Sequence, residues 1–228
     1  GVCFVNGLSL NAGGFTLSAS IPLIYLNTPY VSYSGVGVLP SGGSASSSVS
    51  QRQGKETVVL PEPVDVRQYG VGDPLVRLGI RLTKGAASGL SVEVVAQAKA
   101  PVARLESGFG TGEWDYGAGL ALSKRFGGLV LLADANYWKL GDLPELELRD
   151  PWVYSVSAGL PFAKGRSALL VSYFGMTRVI DGAAPPSSLG LGISVKAGAG
   201  SSLMINASIG LSGSSPDLAL SLGWAIGL

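Results

Sequence analysis

The chain has no histidine among its 228 residues and a single cysteine, Cys3. Without an imidazole a Ser-His-Asp relay is impossible, and the commonest general base near neutral pH is missing. One cysteine cannot form an internal disulfide. Because it is the third residue rather than the first, it is not placed as a lipidated cysteine either, and it reads as a small apolar side chain in a strand. Charge is also scarce: only 14% of residues are Asp, Glu, Lys or Arg, with a net charge of +1. That leaves no basic footprint for nucleic acid. Long hydrophobic runs are missing too. A membrane-spanning helix needs about 17–25 continuous apolar residues. The longest charge-free run beyond the N-terminal third, 197–216, is filled with Gly and Ser and repeats every second residue rather than every 3.6. The opening residues do not read as a signal peptide, so an exported chain would carry them after its removal.

What the chain does have is glycine and alternation. With 34 Gly, 46% hydrophobic residues and a mean hydropathy of +0.38, it is too apolar and too Gly-rich for an ordinary soluble sandwich. Successive strand residues point to opposite sides. At the C-terminus, Leu218, Leu220, Leu222, Trp224, Ile226 and Leu228 therefore share one face, and Ala219, Ser221, Gly223, Ala225 and Gly227 the other. The same division into a greasy face and a tiny one runs back through segments 202–211, 188–196, 167–178, 152–162, 129–137, 115–125, 92–100, 73–82, 15–21 and 2–10, giving eleven strands in all.

The charges decide which face looks where. Were the apolar faces joined in a sandwich core, the other faces would be solvent surfaces rich in Lys and Glu. They carry instead Gly, Ala and Ser with a few charges of both signs: Asp73, Arg77, Arg81, Glu93, Lys99, Asp115, Arg125, Asp134, Arg178, Lys196 and Asp217. That composition suits the crowded, polar inside of a small closed barrel whose greasy faces meet lipid. Closure is required, since an open sheet edge in hydrocarbon leaves backbone groups unpaired at several kcal/mol each. The fold class is therefore all-β, a transmembrane antiparallel up-and-down barrel forming one unit over 1–228. The charged residues through Lys196 would line the substrate path. Phe174 and Met176 also point inward and suit an apolar ligand or simply fill space.

Connections alternate in length. The short ones are "NAGG", "TKGAASG", "FGG", "AKGR" and "AGAGSS"; between them lie longer links, the longest running over about 30–71 with "SGGSASSSVS" at its centre, and only the last, "SGSSPD", is short for its rim. Short turns on one rim and long loops on the other match outer-membrane barrels. The 30–71 stretch is either a mobile external loop or a plug folded into the lumen. The acidic link "GDLPELELRD" could hold a divalent cation between lipopolysaccharide phosphates, or be a solvated loop. Glu113 and Asp115 in "GTGEWDYG" read as residues that shape a loop and line the upper lumen rather than as a catalytic pair.

Three segments carry a resemblance: "GDPLVRLGIRL", "GFGTGEWDYGAGLALSKRFG" and "SSPDLALSLGW". They resemble landmarks of a family of outer-membrane barrel proteins of the phenol-degradation MetA-pathway type, over Asp73 to Leu228. The resemblance implies a barrel of about twelve strands, an even number as bacterial barrels have, in the bacterial outer membrane. It also implies a role in uptake of small, often aromatic or otherwise hydrophobic compounds. Eleven visible strands then suggest that one N-terminal strand is missing or hidden. Leu228 departs from the family pattern, which usually ends in Phe or Trp.

Outer-membrane phospholipases, palmitoyl transferases and omptin-type proteases all depend on a histidine, so the expectation is a non-enzyme without cofactor or metal. Its partners are outer-membrane lipid, lipopolysaccharide and a small-molecule solute, with no nucleic acid. The expected function is passive uptake through the barrel; the alternative is a structural or partner-bound barrel without an open pore. Six basic and five acidic inward charges predict little ion selectivity.

Overall fold

The computed structural model describes residues 2–26, 30–32, 42–44, 68–83, 89–103, 112–142, 147–198, 200–215 and 217–227. The strands are β1 (Val2–Ala12), β2 (Phe15–Leu26), β3 (Tyr30–Ser32), β4 (Gly42–Ser44), β5 (Gln68–Val71), β6 (Leu75–Arg81) and β7 (Leu90–Lys99). They continue with β8 (Asp115–Phe126), β9 (Leu129–Lys139), β10 (Trp152–Phe162), β11 (Ser167–Met176), β12 (Ser187–Gly198), β13 (Ser201–Gly210) and β14 (Leu218–Gly227). The tight turns fall where the sequence places Gly. Gly13 and Gly127 take φ of +59° and +55°, which a two-residue hairpin turn demands and an L side chain resists.

From β6 through β14 every strand pairs with its chain neighbours in antiparallel register, and β2 joins β6 on one side and β1 on the other. The ring closes where β1 meets β14, with Val2 opposite Leu220 and Ser9 opposite Gly227, in parallel. The result is a closed barrel of eleven staves. β5 is an extra strand rather than a hidden twelfth stave. It pairs Leu23 to Leu26 of β2 and so continues the line of β6, which pairs Phe15 to Ser20. The break between the two holds Gly72, Asp73 and Pro74; Pro74 has no N–H to donate, and Gly72 N–H still reaches Pro22 O at 2.9 Å. Up-and-down strands alternate in direction, so an odd number leaves one like-directed pair. Among the described strands, that is the single departure from the antiparallel pairing read from the sequence.

β3 and β4 form a separate short ladder, Tyr30 opposite Ser44. Apart from them and β5, the stretch 30–71, expected to be an external loop or plug, lies outside the described residues.

The faces sort as the alternation predicts. Leu78, Leu120, Val156, Val171, Ile193, Ile205 and Leu220 stand exposed on the outer wall. Tyr116, Tyr137, Trp152, Tyr154 and Tyr173 mark that wall near the long-connection end, and Phe15, Phe126, Phe162 and Trp224 near the short-turn end. Tyr137 and Trp152 meet with ring centroids 5.5 Å apart, and Trp114 stacks on Tyr116 at 6.1 Å. Ten residue steps from Trp152 to Phe162, at about 3.3 Å each and a tilt of about 40°, give a vertical band of roughly 25 Å, the height of the apolar belt of an outer-membrane barrel.

This outer face makes a direct test possible with neighbouring positions on β10. Refolded into phospholipid bilayers, Val156→Arg should lose about 2–4 kcal/mol of unfolding free energy by denaturant titration, while Ser157→Arg, turned into the lumen, should lose far less. Equal losses would mean that the exposed wall is not the face that meets hydrocarbon.

Candidate functional site

The inward side chains form layers along the lumen. At the long-connection end, Lys99, the last residue of β7, reaches Asp73 Oδ2 at 3.0 Å and Asp115 Oδ2 at 2.5 Å, with only 5% of the lysine side chain exposed. Two carboxylates on one ammonium leave an excess negative charge in a buried place. Backbone donors offset it: Val102 and Ala103 N–H donate to Asp73 Oδ1 at 2.9 and 2.8 Å, and Gly141 N–H donates to Asp115 Oδ1 at 2.8 Å. The triad therefore does more than neutralise itself. It ties the connections after β7 and after β9 to the barrel wall. Ala103 is drawn against Cys3 and Ile24 on the inner face of β1 and β2.

Beside the triad lies an apolar layer. Trp138, Leu140, Leu148, Val153, Met176 and Val179 are buried against one another, with Leu75, Phe174 and Ile180 packed on their edge. Trp138 continues the inward parity of Asp134 and Asn136. It fits because its cross-strand partner is Gly117, where even a Cβ would stand 2.6 Å from the indole ring. Its Nε1–H is buried without an acceptor. The other unbonded buried side-chain atoms among the described residues, on Asp73, Glu93 and Asp115, all belong to ion pairs.

The loops that supply this layer are laced together. Asp150 accepts from Leu140 N–H at 3.0 Å and from Lys139 Nζ at 3.1 Å, and Asp142 accepts from Leu148 N–H at 2.8 Å. Arg149 grips Asp181 through Nε and Nη2 at 2.7 and 3.0 Å and donates its N–H to Val179 O at 2.8 Å. Asp142 and Asp150 of the acidic link thus act as staples of their own loop. Burial pushes the Asp150 carboxyl up, but the Leu140 amide and the Lys139 ammonium outweigh it and hold it below the ordinary carboxylate value.

Mid-barrel is polar. Arg77 Nη2 meets Glu93 Oε1 at 2.8 Å over Gly79, whose missing side chain makes room for the glutamate. Gln97 donates to Asn136 at 3.1 Å; Asn136 and Ser155 both donate to Asp134. On the far wall, Gly190 and Gly192 lie against Ser172 and Asn206. Towards the short-turn end the lumen loosens, and Arg81, Arg125 and Lys196 are exposed.

The twelve lumen residues expected from the sequence thus separate into groups. Asp73, Lys99 and Asp115 form the triad; Arg77, Glu93 and Asp134 hold the middle; Phe174 and Met176 enter the apolar layer; Arg81, Arg125 and Lys196 sit at the short-turn end. Arg178 lies beyond the end of β11, exposed in the β11–β12 connection. There the strand pattern that assigned it a lumen face has already ended. Sequence reasoning missed Trp138, Leu140, Leu148 and Val179. Parity alone would have found Trp138, one alternation past Asn136. The other three lie in connections, where alternation carries no information.

Residues 6–226 match the family model described as "Putative MetA-pathway of phenol degradation". No curated protein matches the chain.

Two outcomes follow from this geometry. Lys99→Met strands two buried carboxylates and should cost about 3–5 kcal/mol, read as a lowered unfolding midpoint in micelles. Adding Asp115→Asn should restore part of it. For the Asp150 staple, a lowered carboxyl contributes stability that is complete above the ordinary carboxylate range of about pH 4 and is lost as pH falls through the lower folded value. Hydrogen-exchange protection of the Leu140 amide, corrected for the intrinsic rate, should drop in that acid window; in Asp150→Asn that acid step should vanish.

Proposed function

The chain belongs to the family of the MetA-pathway of phenol degradation, and from that membership and the layered lumen we propose that it is an outer-membrane channel for passive entry of small apolar or aromatic compounds. The observation that carries this reading is the apolar layer around Trp138, set across the long-connection end of an otherwise polar barrel. A barrel that serves only as a structural element needs no such layer, because paired polar and small residues already fill its middle. A water-filled general pore would not place Val153 and Met176 there either.

The layer acts as a filter. Its walls are strand residues, Trp138, Val153 and Met176, while Leu140, Leu148 and Val179 come from the two laced connections. Displacing the loop members opens a greasy slot with one polar feature, the unpaired indole N–H. A compound with an apolar body and one acceptor atom satisfies that donor and replaces the packing it interrupts. A hydrated ion gains neither. The fixed dipoles and paired charges below carry the solute on. The process is diffusion down a gradient and breaks no covalent bond.

Planar-bilayer recording tests this. Wild-type protein should show low conductance, and the double variant Leu148→Gly, Val179→Gly, folded by circular dichroism, should conduct more, because the loop side of the layer is removed. Benzyl alcohol added to the wild type should raise opening frequency. Silence in both proteins, with folding intact, would turn the reading to a structural barrel.

A further inference from the structure

The charges of this barrel are segregated from end to end. Every Asp and Glu except Glu93 and Asp134 lies in the long connections, in the short β13–β14 link on the same rim, or at the strand ends that flank them. The turn segments at the other end, 11–16, 82–90, 125–130, 162–167 and 196–202, contain none. At that acid-free end Arg81, Arg125 and Lys196 share the inward parity of Arg77, Asp115 and Ser194, and Arg166 stands beside Lys196, whose N–H donates to Arg166 O at 2.8 Å. None of these four side chains forms an ion pair or side-chain hydrogen bond among the described residues. Glu93, the nearest carboxylate along the strands, is engaged by Arg77. Elsewhere in the lumen cations are matched by carboxylates; here they are left over.

The second observation is apolar. Leu132 on β9, beside the stave that carries Arg125, and Met204 on β13, beside the stave that carries Lys196, both have inward parity and are each 38% exposed. An exposed Leu or Met on the outer wall meets the surroundings of the barrel; on the inner wall it has no such partner. Around the ring the cations sit on β6, β8 and β12, and each apolar side chain lies on the stave next to one, diagonal to it: Leu132 pairs with Ser123, two residues before Arg125, and Met204 with Ser194, two before Lys196.

We propose that the short-turn mouth is a binding site for a small amphipathic organic anion, a carboxylate on an apolar body, with the carboxylate on the Arg125 or Lys196 side and the body against Leu132 or Met204. The site rests on the channel reading for its place on the route of a solute, but its binding does not depend on flux. A guanidinium offers a planar fork of donors to a carboxylate, and an unpaired one loses no existing ion pair when the ligand arrives. The overall balance of lumen charge conceals this, because the acidic surplus is spent at the opposite end on Lys99 and on backbone donors.

Calorimetric titration of the folded barrel in zwitterionic micelles at neutral pH, with benzoate, benzyl alcohol and inorganic phosphate as probes, tests the assignment. Benzoate should bind more tightly than either of the others and weaken as salt is added. In the double variant Arg125→Gln, Lys196→Gln its affinity should fall about tenfold or more while that of benzyl alcohol holds. Leu132→Gln should weaken benzoate and benzyl alcohol together and leave phosphate as it was. Benzoate binding no tighter than benzyl alcohol, phosphate binding as tight as benzoate, or a double variant indistinguishable from wild type would each overturn the proposal. Binding that behaves as expected without benzoate entry into liposomes would uphold the anion site and overturn the channel reading instead. Entry with no preference for the anion would do the reverse.

Discussion

Backbone pairing is the constraint from which the rest of this barrel follows. A strand has donors and acceptors on both edges, and beside an apolar surrounding an unpaired edge has no water to turn to. Each stave here finds a partner on both sides. The closing partner of β14 is β1, although the two run the same way. Parallel pairing is slightly less stable per residue than antiparallel, but that deficit is small beside the loss of a whole ladder. The break at Gly72 to Pro74 is managed by the same rule: β2 keeps a partner along its length by taking β6 below and β5 above.

Closure then divides every strand into two chemistries. The outer wall has unlimited room and takes Leu, Ile, Val and aromatics. The inner wall faces its own far side, so one large residue must be matched by a glycine, as Trp138 is by Gly117 and Glu93 by Gly79. The buried charges survive inside because they are paired or capped by backbone donors. The buried Lys99 triad is the extreme case, and its geometry also anchors two connections over the lumen. The long-connection end is therefore dense and apolar, the middle polar and paired, and the short-turn end open and basic. That succession of environments is what the proposed passage of a solute would use.

The loops contribute more to function than their irregularity suggests. Leu140, Leu148 and Val179 are buried only because Asp142, Asp150 and the Arg149–Asp181 fork hold their backbones in place. A charge-rich link thus ends up delivering apolar side chains to the lumen, with Asp142 and Asp150 turned onto its own N–H groups.

Much of this is legible in the amino-acid sequence itself. Period-two alternation settles strand identity and the face of each residue, since side-chain direction in a strand is a local property. Eleven staves, the lipid-like outer wall and the inward set from Asp73 to Lys196, Arg178 apart, all come from that one regularity. Tertiary structure alone decided the rest. Which inward charges meet depends on which staves are neighbours and at what register, so Lys99 bridging Asp73 and Asp115 was not readable from sequence spacing. The parallel seam depends on which ends close the ring. The apolar layer depends on loops, where no periodicity ties sequence to direction and only long-range packing determines where a side chain points.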